Sequence, residues 1–389
     1  MQIVSDEKHS YFLVGADIVP TEANAQLFAR GDAESLVGDE LLQLLCASSH
    51  NVFNLESPLT DELSPIPKCG PNLAAPRSCV AGYQALNMNL LSLANNHIMD
   101  QGASGLFSTM KVLDSVGISH FGAGTCYEEA CNTVTFGFAG NIVGVYACAE
   151  HEFSIAGEQT PGANPFDPLW SLDHVVTLAG KCDFTVVLYH GGKEHYRYPS
   201  PQLRRTCRRL VDKGADLVVC QHSHCIGCEE QYGDGTIVYG QGNFLFDLSD
   251  SELWQTGLLV RVSGDLSISY VPVVKCGETV RLAKGSEYAQ IIGDFERRSA
   301  EIREDGFIEQ AYAEFATMTC DSYLSALRGR SPLVARAVNK LSNGRMARFF
   351  NRVRYGKGET LRVVNYLECE AHRELALEGL RQIMKSQIR

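Results

Sequence analysis

Residues 186–247 read VVLYHGGKEHYRYPSPQLRRTCRRLVDKGADLVVCQHSHCIGCEEQYGDGTIVYGQGNFLFD, and this stretch decides the fold. Three short β-rich apolar runs in and just before it end in polar residues. Residues 184–189 run into His190, residues 216–220 into Gln221-His222-Ser223-His224, and residues 236–239 into Gly240-Gln241-Gly242-Asn243. Continuous apolar runs bounded in this way suit strands buried on both faces. The polar residues then stand at strand carboxyl ends, where open α/β sheets build their sites. His190, Glu194, His222 and His224 are therefore expected to converge at one sheet edge. His222 and His224 are two apart, so an extended loop can aim both at one centre. Imidazole suits Mn, Fe or Zn better than Mg or Ca.

The pattern continues upstream. Residues 11–14 form an apolar strand that ends at Gly15-Ala16-Asp17, and residues 51–55 a second that ends at Glu56. Residues 90–93 form a third, ending at Ala94-Asn95-Asn96-His97 with Asp100 and Gly102 beyond. Between them, residues 34–47, 80–88 and 103–116 have helical spacing, with Gly117 at the C′ position of the last. Residues 64–76 hold four prolines and read as a loop. Residues 136–147 suit one or two strands and residues 168–179 a further helix. Strands alternating with helices mean an α/β fold. Residues 254–274 change to period two, an antiparallel hairpin turning at Gly264-Asp265. Beyond Ser286 the chain reads as helical and polar. The expected division is residues 1–285 as the site-bearing domain and residues 286–389 as a helical C-terminal extension.

A chain of 389 residues that is 45% hydrophobic can bury a large core. No apolar run reaches the roughly 18 residues of a membrane span, and residues 1–10 lack the basic-then-apolar order of a signal peptide. Many of the 14 cysteines, such as Cys148 and Cys220, sit inside apolar runs and read as reduced thiols. These features lead to the expectation of a cytoplasmic protein. Cys225-Ile226-Gly227-Cys228 has no second pair at zinc-ribbon spacing and reads as a loop with two free thiols. The net charge of -12 argues against nucleic-acid binding. Residues 322–358 nevertheless carry nine basic residues and no acidic one, which makes them a candidate contact for a membrane leaflet or polyanion. Leu333, Val334, Val338 and Leu341 recur there at helical spacing. Arg204, Arg205, Arg208, Arg209 and Lys213 read as the solvated face of a helix. His151 and His195 read as surface residues. Tyr196, Arg197 and Tyr198 fit either a gate over the site or an ordinary loop.

Asp17, Glu56, Asn96, His97, His190, His222, His224 and Asn243 now stand at six strand ends. Two carboxylates, an amide and three imidazoles are enough for a two-metal site, in which a carboxylate joins ions roughly 3.5–4 Å apart. Asn54-Leu55-Glu56, Ala94-Asn95-Asn96-His97 with Asp100 and Gly102, His190-Gly191-Gly192-Lys193-Glu194, His222-Ser223-His224 and Tyr239-Gly240-Gln241-Gly242-Asn243-Phe244 together resemble the CapA family. That family is linked to poly-γ-glutamate capsule synthesis and belongs to the calcineurin-like metallophosphoesterases.

The resemblance covers about residues 12–274. It implies a four-layer α/β/β/α sandwich and two divalent ions, with Asp17, Glu56, Asn96, His190, His222 and His224 as ligands. It makes His97 a general acid or transition-state stabiliser and has Glu194 and Asn243 line the site. The substrate it implies is a phosphoester or a polymer-linked anion. Alternatives are a non-catalytic capsule assembly factor on the same fold and a γ-glutamyl amide hydrolase. Two departures stand out. The superfamily opens with Asp-x-His where this chain has Asp17-Ile18-Val19, a gap Glu194 could fill. Its second position is usually Asp, here Glu56.

Overall fold

Successive side chains of a strand fall on opposite faces, and here each face meets a different core. In the strand Tyr11–Ile18, Leu13 and Ile18 join one buried cluster with Phe53, Leu55 and Leu91, while Phe12 and Val14 join another with Val52 and Leu90. In the strand Phe184–His190, Val186 and Leu188 face that second cluster, while Val187 and Tyr189 face a third. Both strands are buried along their whole length, as their unbroken apolar runs require.

The computed structural model describes residues 10–327, 340, 342, 344–368, 372, 376 and 380. Two sheets make the centre. The first runs in the order Thr279–Leu282, Ile268–Cys276, Thr256–Ser263, Tyr11–Ile18, Asn51–Leu55, Leu90–Ser92 and Ser119–Phe121, with Asn243–Leu245 pairing at the end of the Tyr11 strand. The second runs Glu229–Tyr232, Gly235–Tyr239, Leu217–Gln221, Phe184–His190, Asn141–Ala149 and Val134–Phe138. The inner strands of the second sheet are parallel, as are the four strands of the first from Tyr11–Ile18 to Ser119–Phe121.

Phe12, Val14, Val52, Val145, Val186 and Val219 close the space between the sheets. Helices Ala25–Arg30, Asp39–Ala47 and Gly102–Ser115 cover the outer face of the first sheet through Phe28, Leu41, Leu45, Leu106 and Val112. Helices Ser171–Ala179 and Pro201–Asp212 cover the second through Val175, Leu178, Leu203, Cys207 and Leu210. The result is the expected α/β/β/α sandwich. Within the first sheet the packing is tight at the site end, where a Cβ on Gly15 would lie 1.9 Å from the Phe53 ring on the neighbouring strand. Gln221 Nε2 donates to Gly15 O across the sheets at 3.0 Å, and Gln241 Nε2 to Val14 O at 2.9 Å.

Several local expectations are refined. The helix expected over residues 34–47 is two, Ala33–Val37 and Asp39–Ala47, because Gly38 between them adopts φ +72. Residues 136–147 fall in a hairpin of two strands, Val134–Phe138 and Asn141–Ala149. The proline-rich stretch 64–76 has neither helix nor strand, yet it is pinned. Ile66 N donates to Asp100 O, Ser64 N to Gln101 Oε1 and Leu73 N to Asp100 Oδ2.

The face read as solvated is only partly so. Arg204 and Arg208 both donate to the buried Glu230, which also accepts from Tyr239 OH at 2.7 Å. Cys225 and Cys228 are free but buried, and burial pushes the Cys225 thiol up to about 11.

The chain divides into two compact units, residues 1–309 and 310–389. Helix Gly285–Glu301 belongs to the first because its Phe295 packs with Ile226 and Leu258, and Ser299 Oγ accepts from Glu229 N. In the second unit, helices Arg345–Arg354 and Lys357–Glu368 follow Phe307–Leu327, and Tyr355 OH donates to Leu324 O. Leu333, Val334, Val338, Leu341 and the arginines at 328, 330 and 336 lie outside the described residues. Among the described residues no helix is long and apolar enough to cross a membrane.

Candidate metal centre

Parallel pairing sets three polar side chains side by side. Asp17 is in register with Asn54 on one flank and with Asn243 on the other, while Gln221 is in register with His190 in the second sheet. Glu56 follows the Asn51–Leu55 strand directly, and His222 and His224 follow Leu217–Gln221. The carboxyl ends of both sheets thus deliver their residues to one place.

Three overlapping groups of donors form there. Glu56, His190 and His222 make one, Asp17, Glu56 and His224 a second, and Glu194, His222 and His224 a third. Within each, the donor atoms lie within 4.8 Å of one another. Glu56 is common to the first two. Asn96 joins the first through Oδ1, 3.0 Å from His190 Nε2.

The site is built for a cation that these side chains lack among themselves. Asp17 and Glu56 are fully buried, and among the described residues Asp17 Oδ2 and both Glu56 carboxylate oxygens accept no hydrogen bond, while His222 Nδ1 and Asn243 Nδ2 are likewise without a partner. His190 Nε2 approaches Glu56 Oε1 to 3.3 Å without forming a hydrogen bond. Burial, and then the neighbouring Glu56, push Asp17 up to about 8, and burial pushes Glu56 up to about 7. Two buried carboxylates that repel each other ionise together only beside a positive charge. The imidazoles cannot supply it. Burial, reinforced by mutual repulsion, holds His222 well below its ordinary value and His224 down to about 3, and burial lowers His190. Neutral imidazoles and anionic carboxylates form the donor set of a divalent metal ion.

A second layer orients these donors, the usual companion of a metal site. Asn54 Nδ2 donates to Asp17 Oδ1 at 2.7 Å and lies 3.3 Å from His190 Nδ1. Asn54 is itself held by Asn95 Nδ2 at 3.0 Å. Asn243 Oδ1 lies 2.9 Å from His224 Nδ1, so Asn243 positions an imidazole. Trp254 tilts against His224 with ring centroids 4.6 Å apart, and its Nε1 donates to His195 Nε2. His195 is exposed, as expected, but it anchors that indole. Glu194 sits at the edge, with Oε1 4.0 Å from His222 Nε2. His195, His222 and His224 all take positive φ, +61, +85 and +51, and such backbone in non-glycine residues concentrates at functional sites.

His97 stands apart from the donor groups. Its Nδ1 lies 2.6 Å from Asp100 Oδ2, and Lys68 Nζ reaches both residues. Lys68 and Asp100 are almost fully buried. Nothing in the reading of the proline-rich loop singled out Lys68. A lysine among prolines carries no periodic signal, and only the fold brings it beside a histidine 29 residues away. Asn54 was legible in principle, since strand register sets it beside Asp17. Tyr196 is buried, and Arg197 donates to Ile226 O and to both oxygens of Glu252.

Residues 11–248 match the family model described as bacterial capsule synthesis protein PGA_cap. The capsule biosynthesis protein CapA of Bacillus anthracis is 29% identical over 61% of this chain and 61% of its own length. The PGA biosynthesis protein CapA of Bacillus subtilis is 27% identical over 52% of this chain and 55% of its own length. The chain thus spans about three fifths of these curated relatives. Among solved structures, one described as a novel phosphatase from Mycoplasma pneumoniae aligns with TM-score 0.45 at 11% identity, covering 69% of this chain and 95% of that one. A 5′-nucleotidase precursor from Thermus thermophilus aligns with TM-score 0.40 at 14% identity, covering 80% and 59%. The family match runs through more than half of the chain and through every candidate donor named above, and the chain belongs to the PGA_cap family of bacterial capsule synthesis proteins.

Proposed function

We propose that this chain is a metal-dependent hydrolase of the CapA type, acting on a phosphoester or a polymer-linked anionic substrate in capsule or poly-γ-glutamate synthesis. One observation carries the reading: two donor groups share the buried, unpartnered carboxylate of Glu56. Two ions fit that arrangement, with Asp17, Glu56 and His224 for one and Glu56, Asn96, His190 and His222 for the other. The imidazole-rich set favours Mn, Fe or Zn. Glu194, grouped with His222 and His224, would supply a further ligand where the imidazole of the superfamily's opening Asp-x-His is missing.

Bound divalent ions would lower the pKa of a water and polarise the bond to be cleaved. The remaining work falls to the chain. Asn54 and Asn243 hold Asp17 and His224 in place, and Trp254 walls His224 from solvent. Asp100 and Lys68 hold the Nδ1 side of His97, while Nε2 has no hydrogen bond among the described residues and can deliver a proton to a leaving group. Site of action is part of the proposal: the thiol-rich composition fits the cytoplasm.

The test is a phosphoester panel on Mn-loaded protein, with elemental analysis beside it. Glu56→Gln should lose both ions, Asp17→Asn mainly one. His97→Ala should keep its metal and lose about 10²–10⁴-fold in turnover. Full metal content with no turnover on any phosphoester or γ-glutamyl amide would leave the non-catalytic assembly factor. Less than about a tenth of an equivalent of metal after Mn addition would end the metal reading.

A further inference from the structure

A cavity of about 190 Å³ lies between helix Gly285–Glu301 and the loops that leave the metal-centre strands. None of the donor residues lines it, but its walls include Arg197, three residues after Glu194, and Ile226, two after His224.

Arg298 decides its character. It is 5% exposed, in a position where charge is costly to bury. Its Nε donates to Gly227 O at 2.7 Å, and its two terminal amino groups donate to nothing among the described residues. Arg298 is one of the residues that line the cavity. Burial, and then the charge of Arg197, lower the pKa of Arg298, and Asp294 acts against them. The nearby carboxylates are engaged elsewhere. Glu252 is paired with Arg197 at 2.8 Å, Glu287 with Arg281 at 2.8 Å, and Asp294 with Arg297 at 3.2 Å. Glu252 is 82% exposed, so its hold on Arg197 is of the weak, screened kind that an incoming carboxylate replaces at little cost.

The helix wall of the cavity carries both signs. Glu287, Asp294 and Arg298 recur at seven and four residues along one helix and so share a face, with Gln290 beside them. A dianion such as phosphate meets two carboxylates there. A molecule with a carboxylate at one end and an ammonium a few bonds away satisfies the guanidinium groups of Arg298 and Arg197 and the neighbouring carboxylates together. We propose that this cavity binds a small amino carboxylate, its carboxylate bridging Arg298 and Arg197 and its ammonium facing Asp294 and Glu287.

The test is calorimetric titration of the full chain with L-glutamate, L-glutamine, succinate, butylamine and inorganic phosphate. At least one amino acid should bind saturably, and succinate, butylamine and phosphate at least tenfold more weakly. Arg298→Met should weaken the amino acid at least tenfold. Gln290→Trp, on the exposed side of the helix, fills the cavity while leaving every ion pair intact, and should do the same. It keeps the test decisive if Arg298→Met unfolds. His222→Ala should leave the affinity unchanged, which separates this site from the metal centre. The proposal fails if no amino acid binds, if succinate or phosphate binds as tightly, if Gln290→Trp binds normally, or if His222→Ala alone abolishes binding.

Discussion

Lys68 Nζ lies 3.1 Å from His97 Nδ1, and the two residues converge on the same buried carboxylate, Asp100. Asp100 also accepts from Leu73 N, so the proline-rich loop and the segment after Leu90–Ser92 are tied through one side chain. Removing one partner of a buried ion pair strands the other and costs about 3–5 kcal/mol. Lys68→Met should therefore destabilise the protein by about that much in urea unfolding, and Asp100→Leu similarly. The double variant should be less destabilised than the sum, because neither charge is left alone. Strict additivity would show that Lys68 and Asp100 do not act as a pair.

The left-handed backbone at His222 implies a trade between stability and metal binding. A non-glycine residue held in a sparsely populated region costs on the order of 1–3 kcal/mol, and asparagine tolerates the left-handed region better than most residues. His222→Asn, measured with chelator present, should unfold at the same temperature as the parent or higher. His222→Val should unfold lower, since a branched Cβ suits φ +85 poorly. Both should lose metal uptake. A His222→Asn variant that is clearly less stable without metal would remove the strain argument.

Much of this architecture is legible from residues alone, for a physical reason. Strands buried on both faces leave unbroken apolar runs, and the polar residue that stops each run marks the sheet edge. His190, His222 and Asp17 were found in that way. Asn243 was found at its strand end as well, whereas the place of Asn54 beside Asp17 needed strand register, which a single run does not carry. Lys68, Trp254 and Arg298 needed tertiary contact. Each is isolated in sequence from the group it serves, and each lies in or beside irregular chain or on a helix whose pattern reads as polar. The place of the first C-terminal helix was hidden for a related reason. Helix Gly285–Glu301 is charged enough to read as part of a tail, yet Phe295 and Ser299 dock it on the sandwich.

Glu230 sets a pH dependence away from the metal centre. Burial alone would raise its pKa, but hydrogen bonds from Arg208, Arg204 and Tyr239 outweigh burial and hold it below the ordinary glutamate value. A depressed carboxylate contributes stability above its unfolded pKa and loses it as pH falls through the folded one. The contribution is therefore complete at neutral pH and fades below about pH 4.3, the unperturbed value. Glu230→Gln should be less stable than the parent at pH 7, with the gap narrowing towards pH 3. Thermal unfolding across that range checks it; a constant gap would place the effect in packing instead of charge.

Helix Arg345–Arg354 offers the best described part of the basic stretch as a membrane contact. On a helical wheel Arg345, Arg348 and Arg352 share one side, and Met346, Phe349, Phe350 and Val353 fill the adjoining arc. Phe349 is 60% exposed and Val353 70%, an unusual pairing of apolar surface with flanking guanidinium groups. Such a helix lies in a lipid interface with its apolar arc in the acyl boundary and its arginines on anionic headgroups. Each basic residue near such a surface contributes about 1 kcal/mol, on a protein whose net charge of -12 would otherwise repel it. The full chain should co-sediment with phosphatidylserine vesicles at low salt and release at high salt, since exposed charges are screened over about 8 Å at physiological ionic strength. Replacing Arg345, Arg348, Arg352 and Arg354 with glutamine should abolish the binding while leaving the fold of the sandwich unchanged. Phe349→Ser with Val353→Ser should weaken it at every salt concentration, because the apolar term is not screened. Binding that survives all six substitutions, or that is equal on neutral vesicles, would show that this helix is not the membrane contact. Stronger binding to soluble poly-γ-glutamate than to vesicles, unaffected by the serine pair, would assign the arginines to a polymer instead.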